Sequence, residues 1–370
     1  MDTPAATPDR ERPEEQERTR PEQVSLANPE AAPTAPVLKR SWFYVLRKTV
    51  REFLDDGCMD SAAALTYYSV LSVFPAALAL LSLLSLVGKG GAAVDTVVKV
   101  LHPLMSERML ARIEPTLHGL ATSQSGGTTL ALGVLGALWS ASAYVNAFAR
   151  AMNRIYEVEE GRPLWKLRPI MLLITVAMVL LCAVALLIVV VSGPVADSVG
   201  HVLGIGSSLL TVWNWAKWPV LALVVVFVVA LLYWGTPNVR QPKLRFLSLG
   251  AFLAILVWVA ASLGFAFYVA NFASYNATYG SVGGVIVALL WLWLTNNALL
   301  FGAEIDTELE RARELAAGEV AEVTIQLPVR DDRGIRKAEE RRRKDVEAGR
   351  RVRESFGHRG DPADRPFVRR

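Results

Sequence analysis

Residues 170–192 read IMLLITVAMVLLCAVALLIVVVS, a run without one Asp, Glu, Lys or Arg. Coiled as a helix at about 1.5 Å per residue, such a run crosses the roughly 30 Å hydrocarbon core of a bilayer. Strands are excluded there, because an open sheet edge in lipid leaves backbone groups unpaired. Five further stretches of the same kind lie around it, at 62–87, 129–149, 213–234, 246–270 and 281–303. None has a charged residue in its central portion. The chain is 52% hydrophobic and 20% charged. Soluble domains carry about 25% charged residues, so an ordinary soluble enzyme is disfavoured. The sequence predicts an all-α polytopic membrane protein with six transmembrane helices, amphipathic interfacial helices and disordered charged tails.

The connecting segments orient it. Lys39, Arg40, Arg47, Lys48 and Arg51 precede the first span. Arg150, Arg154, Arg162, Lys166 and Arg168 lie between the second and third, and Arg240, Lys243 and Arg245 between the fourth and fifth. Basic residues concentrate in cytoplasmic loops, which places both termini of a multi-pass protein in the cytoplasm. The long segment 88–128 carries Lys89, Lys99, Arg108 and Arg112 at low density and leaves the alternation intact. Trp213, Trp215 and Trp218 at one end of the fourth span, with Tyr233 and Trp234 at the other, match an interfacial aromatic belt.

Both ends of the chain are polar. Residues 1–37 are rich in Pro, Glu, Ala and Thr and read as a disordered tail. Residues 313–370 read as a charged cytoplasmic tail, with Arg341, Arg342, Arg343 and Lys344 flanked by Glu339, Glu340 and Asp345. A solvated mixed-charge helix or tail fits that run better than a nucleic-acid site. The membrane domain is drawn at 38–312. Within it, 41–56 is amphipathic and either lies on the cytoplasmic leaflet or packs on the bundle. Residues 92–120 predict two short outer helices broken near His102 and Pro103.

Polar residues inside the spans are costly and so point to function. Asp60, Thr66, Tyr67, Tyr68 and Ser69 fall in the cytoplasmic half of the first span. Ser140, Ser142, Tyr144 and Asn146, followed by Arg150 and Arg154, fall at the same depth of the second; Thr295, Asn296, Asn297 and Glu304 do so in the sixth. Three spans thus contribute to one polar layer, and the third and fourth spans are expected to face lipid. An ion pair of Arg150 or Arg154 with Glu304 or Asp306 is expected at its edge. The layer either locks helices together or forms a hydrated cavity for a polar head group or ion. Pro75 predicts a packed kink or a freed carbonyl. Gly280, Gly284 and Ala288 form a small-residue stripe that permits close helix approach.

The sequence has no Walker loop, no Gly-x-Ser-x-Gly elbow and no His pair at metal-ligand spacing. No catalytic residue, cofactor or metal is expected. Cys58 and Cys182 sit at different depths, which argues against a disulfide.

Ala63-Ala64-Leu65-Thr66-Tyr67-Tyr68 leading to Leu71-Ser72-Val73-Phe74-Pro75 resembles the YihY/BrkB family of six-span bacterial inner-membrane proteins, once labelled ribonuclease BN. So do Asn153-Arg154-Ile155-Tyr156, Tyr279-Gly280-Ser281, Trp291-Leu292-Trp293 and Gly302-Ala303-Glu304-Ile305-Asp306. The resemblance covers roughly 40–312. It implies the six-span architecture, a link to serum resistance and, for some members, envelope lipid export. The ribonuclease label sits badly with a chain lacking clustered His and Asp ligands. The expected function is therefore non-enzymatic: transport or envelope-lipid handling through the polar layer, with the bilayer and an anionic lipid as partners and no nucleic acid. The candidate residues are Asp60, Tyr67, Tyr68, Arg150, Arg154, Asn296, Asn297 and Glu304. The alternatives are a membrane scaffold recruiting partners through its tails and, least favoured, a ribonuclease.

Overall fold

The computed structural model describes residues 39–86, 110–111, 114–115, 126–190, 207–240, 248–272 and 281–356. They form eight helices: α1 Lys39–Asp55, α2 Cys58–Leu86, α3 Gly126–Ile155, α4 Leu164–Val190, α5 Ser207–Gly235, α6 Leu249–Phe272, α7 Ser281–Ala316 and α8 Arg333–Ser355. No strand occurs among the described residues; one isolated antiparallel bridge joins Val239 to Val329.

Among the described residues, five helices are long and apolar enough to cross a membrane: 131–155, 164–185, 212–235, 249–270 and 283–316. The expected first span corresponds to α2, a 29-residue helix. Pro75 lies inside it without ending it; the side chains from 73 to 86, like Gly280 and nearly all of 88–125, are outside the described residues. The N-terminal 1–37 is outside them too.

α2 packs along α3, and α7 lies against α6, α2, α1 and α3. α4 closes the outside by packing on α3 and α5. Residues Phe53, Leu65, Phe148, Met152, Leu232, Tyr233 and Leu300 make the main core, which sits toward the end of the bundle that carries α1. The expectation that the third and fourth spans face lipid changes in one respect. The most apolar window of α5 is 33% buried, the highest of the five, whereas that of α6 is only 6% buried. The stretch 219–232 of α5 lacks polar residues, but the helix presents Val229, Ala230, Leu232 and Gly235 to its neighbours, and small or branched apolar residues pack between helices as well as polar ones do.

Close helix approach occurs at other glycines than the predicted stripe. A Cβ on Gly250 would fall 2.3 Å from the Gly302 carbonyl oxygen, and one on Gly302 would fall 2.3 Å from the Ala254 Cβ. The α6–α7 crossing is therefore built on Gly250, Ala254 and Gly302. Gly284 is half-buried farther along α7.

Two helix ends share one backbone device. After α7, Glu319 N–H bonds the Glu314 carbonyl and Gly318 N–H the Leu315 carbonyl, with Gly318 at φ 86°. This paired closure needs a left-handed residue, usually glycine. After α3 the same bonds run from Val158 to Asn153 and from Glu157 to Arg154, but the left-handed residue is Glu157, at φ 53°. A non-glycine residue there costs on the order of 1 kcal/mol, so its side chain needs a compensating role.

The stretch from 313, expected as a charged tail, is ordered in its first part. α7 continues to Ala316, the chain turns at Gly318, and residues 319–331 fold back across the bundle as a strap. Ala321, Ile325 and Leu327 of the strap are buried, and α8 follows. Sequence composition misses this because the strap's few apolar residues have no helical or strand period. Its stability comes from distant backbone partners. The amphipathic stretch 41–56 is α1; it buries Val45, Thr49 and Phe53 and leaves Trp42, Phe43, Leu46, Val50 and Leu54 exposed.

Candidate functional site

The face of α7 formed by Asn296, Leu300, Glu304, Glu308 and Arg311 recurs at three- and four-residue spacing and is buried throughout. It carries two polar tiers about 12 Å apart along the helix.

The outer tier centres on Asn296. Its Nδ2 donates to Thr66 Oγ1 of α2 at 3.1 Å, and its Oδ1 accepts from the Tyr144 hydroxyl of α3 at 3.0 Å. The three helices expected to share a polar layer are thus joined through one side-chain amide. Asn297 points elsewhere: its Nδ2 returns to the Trp293 carbonyl at 2.8 Å, and its buried Oδ1 has no partner among the described residues. Tyr68 is half-buried against the core. Tyr67 is 61% exposed on the outer face of α2, edge-on to the Tyr68 ring. Asp60 and Arg150 are exposed and stand apart from this tier.

The inner tier centres on Glu304, Glu308 and Arg311. Glu304 lies beside Cys58, whose thiol is 3.9 Å from Oε1, and beside Asp56. The expected ion pair of Arg154 with Glu304 or Asp306 does not form. Arg154 Nη1 donates to the Asp56 carbonyl at 3.0 Å instead, closing the α1–α2 elbow. Asp306 Oδ1 accepts from the Gly250 N–H at 2.7 Å, at the start of α6. Geometry decides this: the tight turn at Gly57, at φ 63°, brings a backbone acceptor within reach of Arg154. Burial raises the Asp56 carboxyl from 3.8 to about 6; Glu52 and Glu157 add to the rise, while Glu304 and Arg154 oppose it.

Arg311 is 1% exposed and fully engaged. Its guanidinium donates to Glu308 Oε1 at 3.1 Å, to Glu157 Oε1 at 2.7 Å and to the Ala321 carbonyl at 3.0 Å. Lys48 of α1 sits 3.6 Å from the same Glu308 oxygen. The strained Glu157 therefore couples the end of α3 to α7, and its Oε2 also accepts from Ile325 N–H of the strap at 3.4 Å. Glu304 Oε2 and Glu308 Oε2 are buried and have no hydrogen-bond partner among the described residues.

A second network pins the strap. Arg162 pairs bidentately with Glu160 at 2.8 and 2.7 Å and donates to the Thr236 carbonyl at 2.7 Å. Asn153 bridges Glu160 and the Asn238 N–H. Arg330 donates to the Val239 and Trp234 carbonyls and lies 5.3 Å over the Trp234 ring. Burial and neighbouring Arg162 lower its basicity. A Cβ on Gly161 would meet the Asp331 carbonyl oxygen at 1.8 Å, so only glycine admits the strap there. Three hydrogen bonds from Arg333, with Lys166 beside it, hold the Asp331 carboxyl well below the usual carboxylate range.

Sequence reasoning brought Thr66, Tyr144 and Asn296 together but missed Glu157, Glu308, Arg311 and Asn238. The available signal was spacing: 304, 308 and 311 continue the buried face of 296 and 300. Among the described residues no group of three or more His, Cys, Asp or Glu is placed to hold a metal ion.

Comparisons with known proteins fit this architecture. The family model described as Virulence factor BrkB matches residues 49–323, which takes in α2 to α7 and the turn into the strap. The chain is 34% identical over 265 residues to a ribonuclease-like protein, YfkH, of Bacillus subtilis (strain 168), covering 72% of this chain and 94% of that one. It is 30% identical over 271 residues to a UPF0761 membrane protein of Alkalilimnicola ehrlichii, covering 72% of this chain and 59% of the relative. A UPF0761 membrane protein of Alteromonas mediterranea is 27% identical over 283 residues, 76% of this chain and 91% of its own length. No solved structure matches.

Proposed function

The chain belongs to the Virulence factor BrkB family of membrane proteins, and from that premise we propose that it spans the bacterial cytoplasmic membrane six times, with both termini inside, and handles a polar head group in transport or envelope-lipid export. α2 supplies the sixth span. The distribution of Lys and Arg supports the orientation. The observation that carries the functional reading is the Asn296 junction with its unpartnered neighbour. α2, α3 and α7 converge on one buried amide, while the adjacent Asn297 Oδ1 has no hydrogen-bond partner among the described residues. Buried polar atoms are nearly always satisfied, and exceptions call for a water, an ion or a ligand group. The open position is an acceptor, so the head group offers a donor to it. Arg150, exposed less than two turns along α3 from Tyr144, is the candidate for its phosphate.

Lipid co-purification tests this. The protein is extracted in mild detergent and its bound lipids are identified by mass spectrometry, for wild type, Asn297→Leu and Arg150→Ala. One anionic lipid enriched over the bulk membrane, and lost in either variant at normal protein level, supports the reading. Bulk lipid in every sample overturns it and leaves the layer as interhelical bonding.

The scaffold reading draws on α8, which has no buried residue. Its test is deletion from 333 onward, because a cut at 316 would also remove the strap. Loss of phenotype with that deletion alone favours recruitment through the tail.

A further inference from the structure

α8 is 23 residues long and carries ten Lys and Arg against five Asp and Glu, a net charge of +5. None of its residues is buried by the rest of the described chain. Val346, Val352 and Phe356 are 64%, 58% and 76% exposed. Ile335, Ala338, Val346, Gly349 and Val352 follow one another at three- and four-residue multiples, so the apolar residues share a stripe flanked by arginines. A basic helix with one apolar stripe suits a surface that is anionic outside and apolar beneath.

The attachment of α8 sets it beside such a surface. Its first residue, Arg333, lies 5.6 Å from the Trp165 ring, and Lys166 lies 5.4 Å from the same ring. Trp165 is exposed in the first turn of α4, at the mouth of the candidate span 164–185. Gly334 N–H donates to the Gly161 carbonyl at 2.7 Å. About two turns on, Arg342 still reaches Glu159 at 3.0 Å. The helix therefore starts at the level of the loop joining two spans and stays within side-chain reach of it. The cytoplasmic leaflet is anionic, and juxtamembrane basic segments are drawn to it.

We propose that α8 docks on the anionic head groups of the leaflet around its own bundle, with Val346, Val352 and Phe356 entering the head-group layer. This stands apart from what the polar layer carries. It rests on charge, exposure and attachment, and α8 lies beyond the family match at 323. A competing occupant exists in the chain itself. Residues 1–37 hold eight Asp and Glu against four Arg.

The test uses the full chain in nanodiscs of phosphatidylcholine alone or mixed equally with phosphatidylglycerol. Val346→Cys in a Cys182→Ser background takes an environment-sensitive fluorophore, while Cys58 is buried. The expected result is a blue-shifted emission in the anionic discs only. The shift reverses at about 0.5 M salt, where screening shortens charge attraction to a few ångströms. It is also lost in R341E/R343E/R350E, whose sites touch no core residue. Identical emission in both discs overturns the proposal. A blue shift in both that reverts on deleting residues 1–37 also overturns it and assigns α8 to the N-terminal segment.

Discussion

Asn238 and Asp331, 93 residues apart, exchange hydrogen bonds: Asn238 Nδ2 donates to the Asp331 carbonyl at 2.9 Å, and the Asp331 N–H donates to Asn238 Oδ1 at 3.2 Å. A side-chain amide thus pairs with a backbone amide as a neighbouring strand would. The Glu159 carbonyl accepts from the same Nδ2 at 3.1 Å. One residue ties the α3–α4 loop, the end of α5 and the strap.

Asn238→Ala removes all three bonds and leaves buried backbone groups unpaired. Each such group costs about 1–3 kcal/mol, so the variant should lose roughly 2–4 kcal/mol. Limited proteolysis of the detergent-solubilised protein should then cut within 319–331, where the wild type resists. Gly161→Ala should do the same by steric exclusion of the Asp331 carbonyl. A strap that stays protected in both variants would contradict its assigned anchors.

Arg311→Met should be the most damaging single change at the α1 end. It leaves Glu308 with Lys48 alone, takes the guanidinium from Glu157 and frees the Ala321 carbonyl. Breaking one side of a buried ion pair costs about 3–5 kcal/mol. Adding Glu308→Gln should restore part of the loss. Thermal unfolding of the single and double variants measures that recovery, and strict additivity would deny the coupling.

Asn296→Leu should be milder. Interhelical polar bonds in membranes contribute about 0.6 kcal/mol each on average, and Asn296 makes two, to Thr66 and Tyr144. A destabilisation near 1 kcal/mol in unfolding midpoint is expected. A collapse comparable to Arg311→Met would mean that the outer tier, not the inner one, holds the bundle.

The Asp56 carboxyl gives a pH dependence of defined sign. Its folded value, about 6, lies above the ordinary 3.8, so the folded state holds this proton more tightly than the unfolded chain. Stability is full below about pH 4 and falls as pH rises toward and past 6. Asp56→Asn cannot ionise. It should exceed the wild type by about 1 kcal/mol above pH 7, a figure already reduced for solvent screening of a half-exposed group. The two unfolding midpoints should converge near pH 4. A gap that widens on acidification would reverse the assignment.

The apolar runs made the spans legible because length and hydropathy alone define them in lipid. Asn296, Tyr144 and Thr66 were legible for a related reason: a polar residue in such a run has few places to go. Arg154 was not. Its partner is a carbonyl, and every residue has one, so residue type could not name Asp56. Glu308 and Arg311 were not singled out, because charged residues that follow an apolar run are ordinarily solvated, yet the strap buries them. That burial depends on contacts from Ala321 and Ile325, which local pattern does not encode. The close α6–α7 crossing at Gly250 and Gly302 was missed because small residues occur in every span, and only packing selects which pair meets.

The strap also sets an order on the protein's birth. Asp331 leaves the ribosome last among the partners of Asn238, and at about 5–20 residues per second the 93 intervening residues take roughly 5–20 s. For that interval the chain is threaded into the bilayer with Asn238, Arg311 and Glu157 lacking their final partners. A ribosome stalled between α7 and Asp331 would leave a nascent protein that is inserted but unlatched. Its uncapped charges would mark it for membrane quality control before any activity could begin.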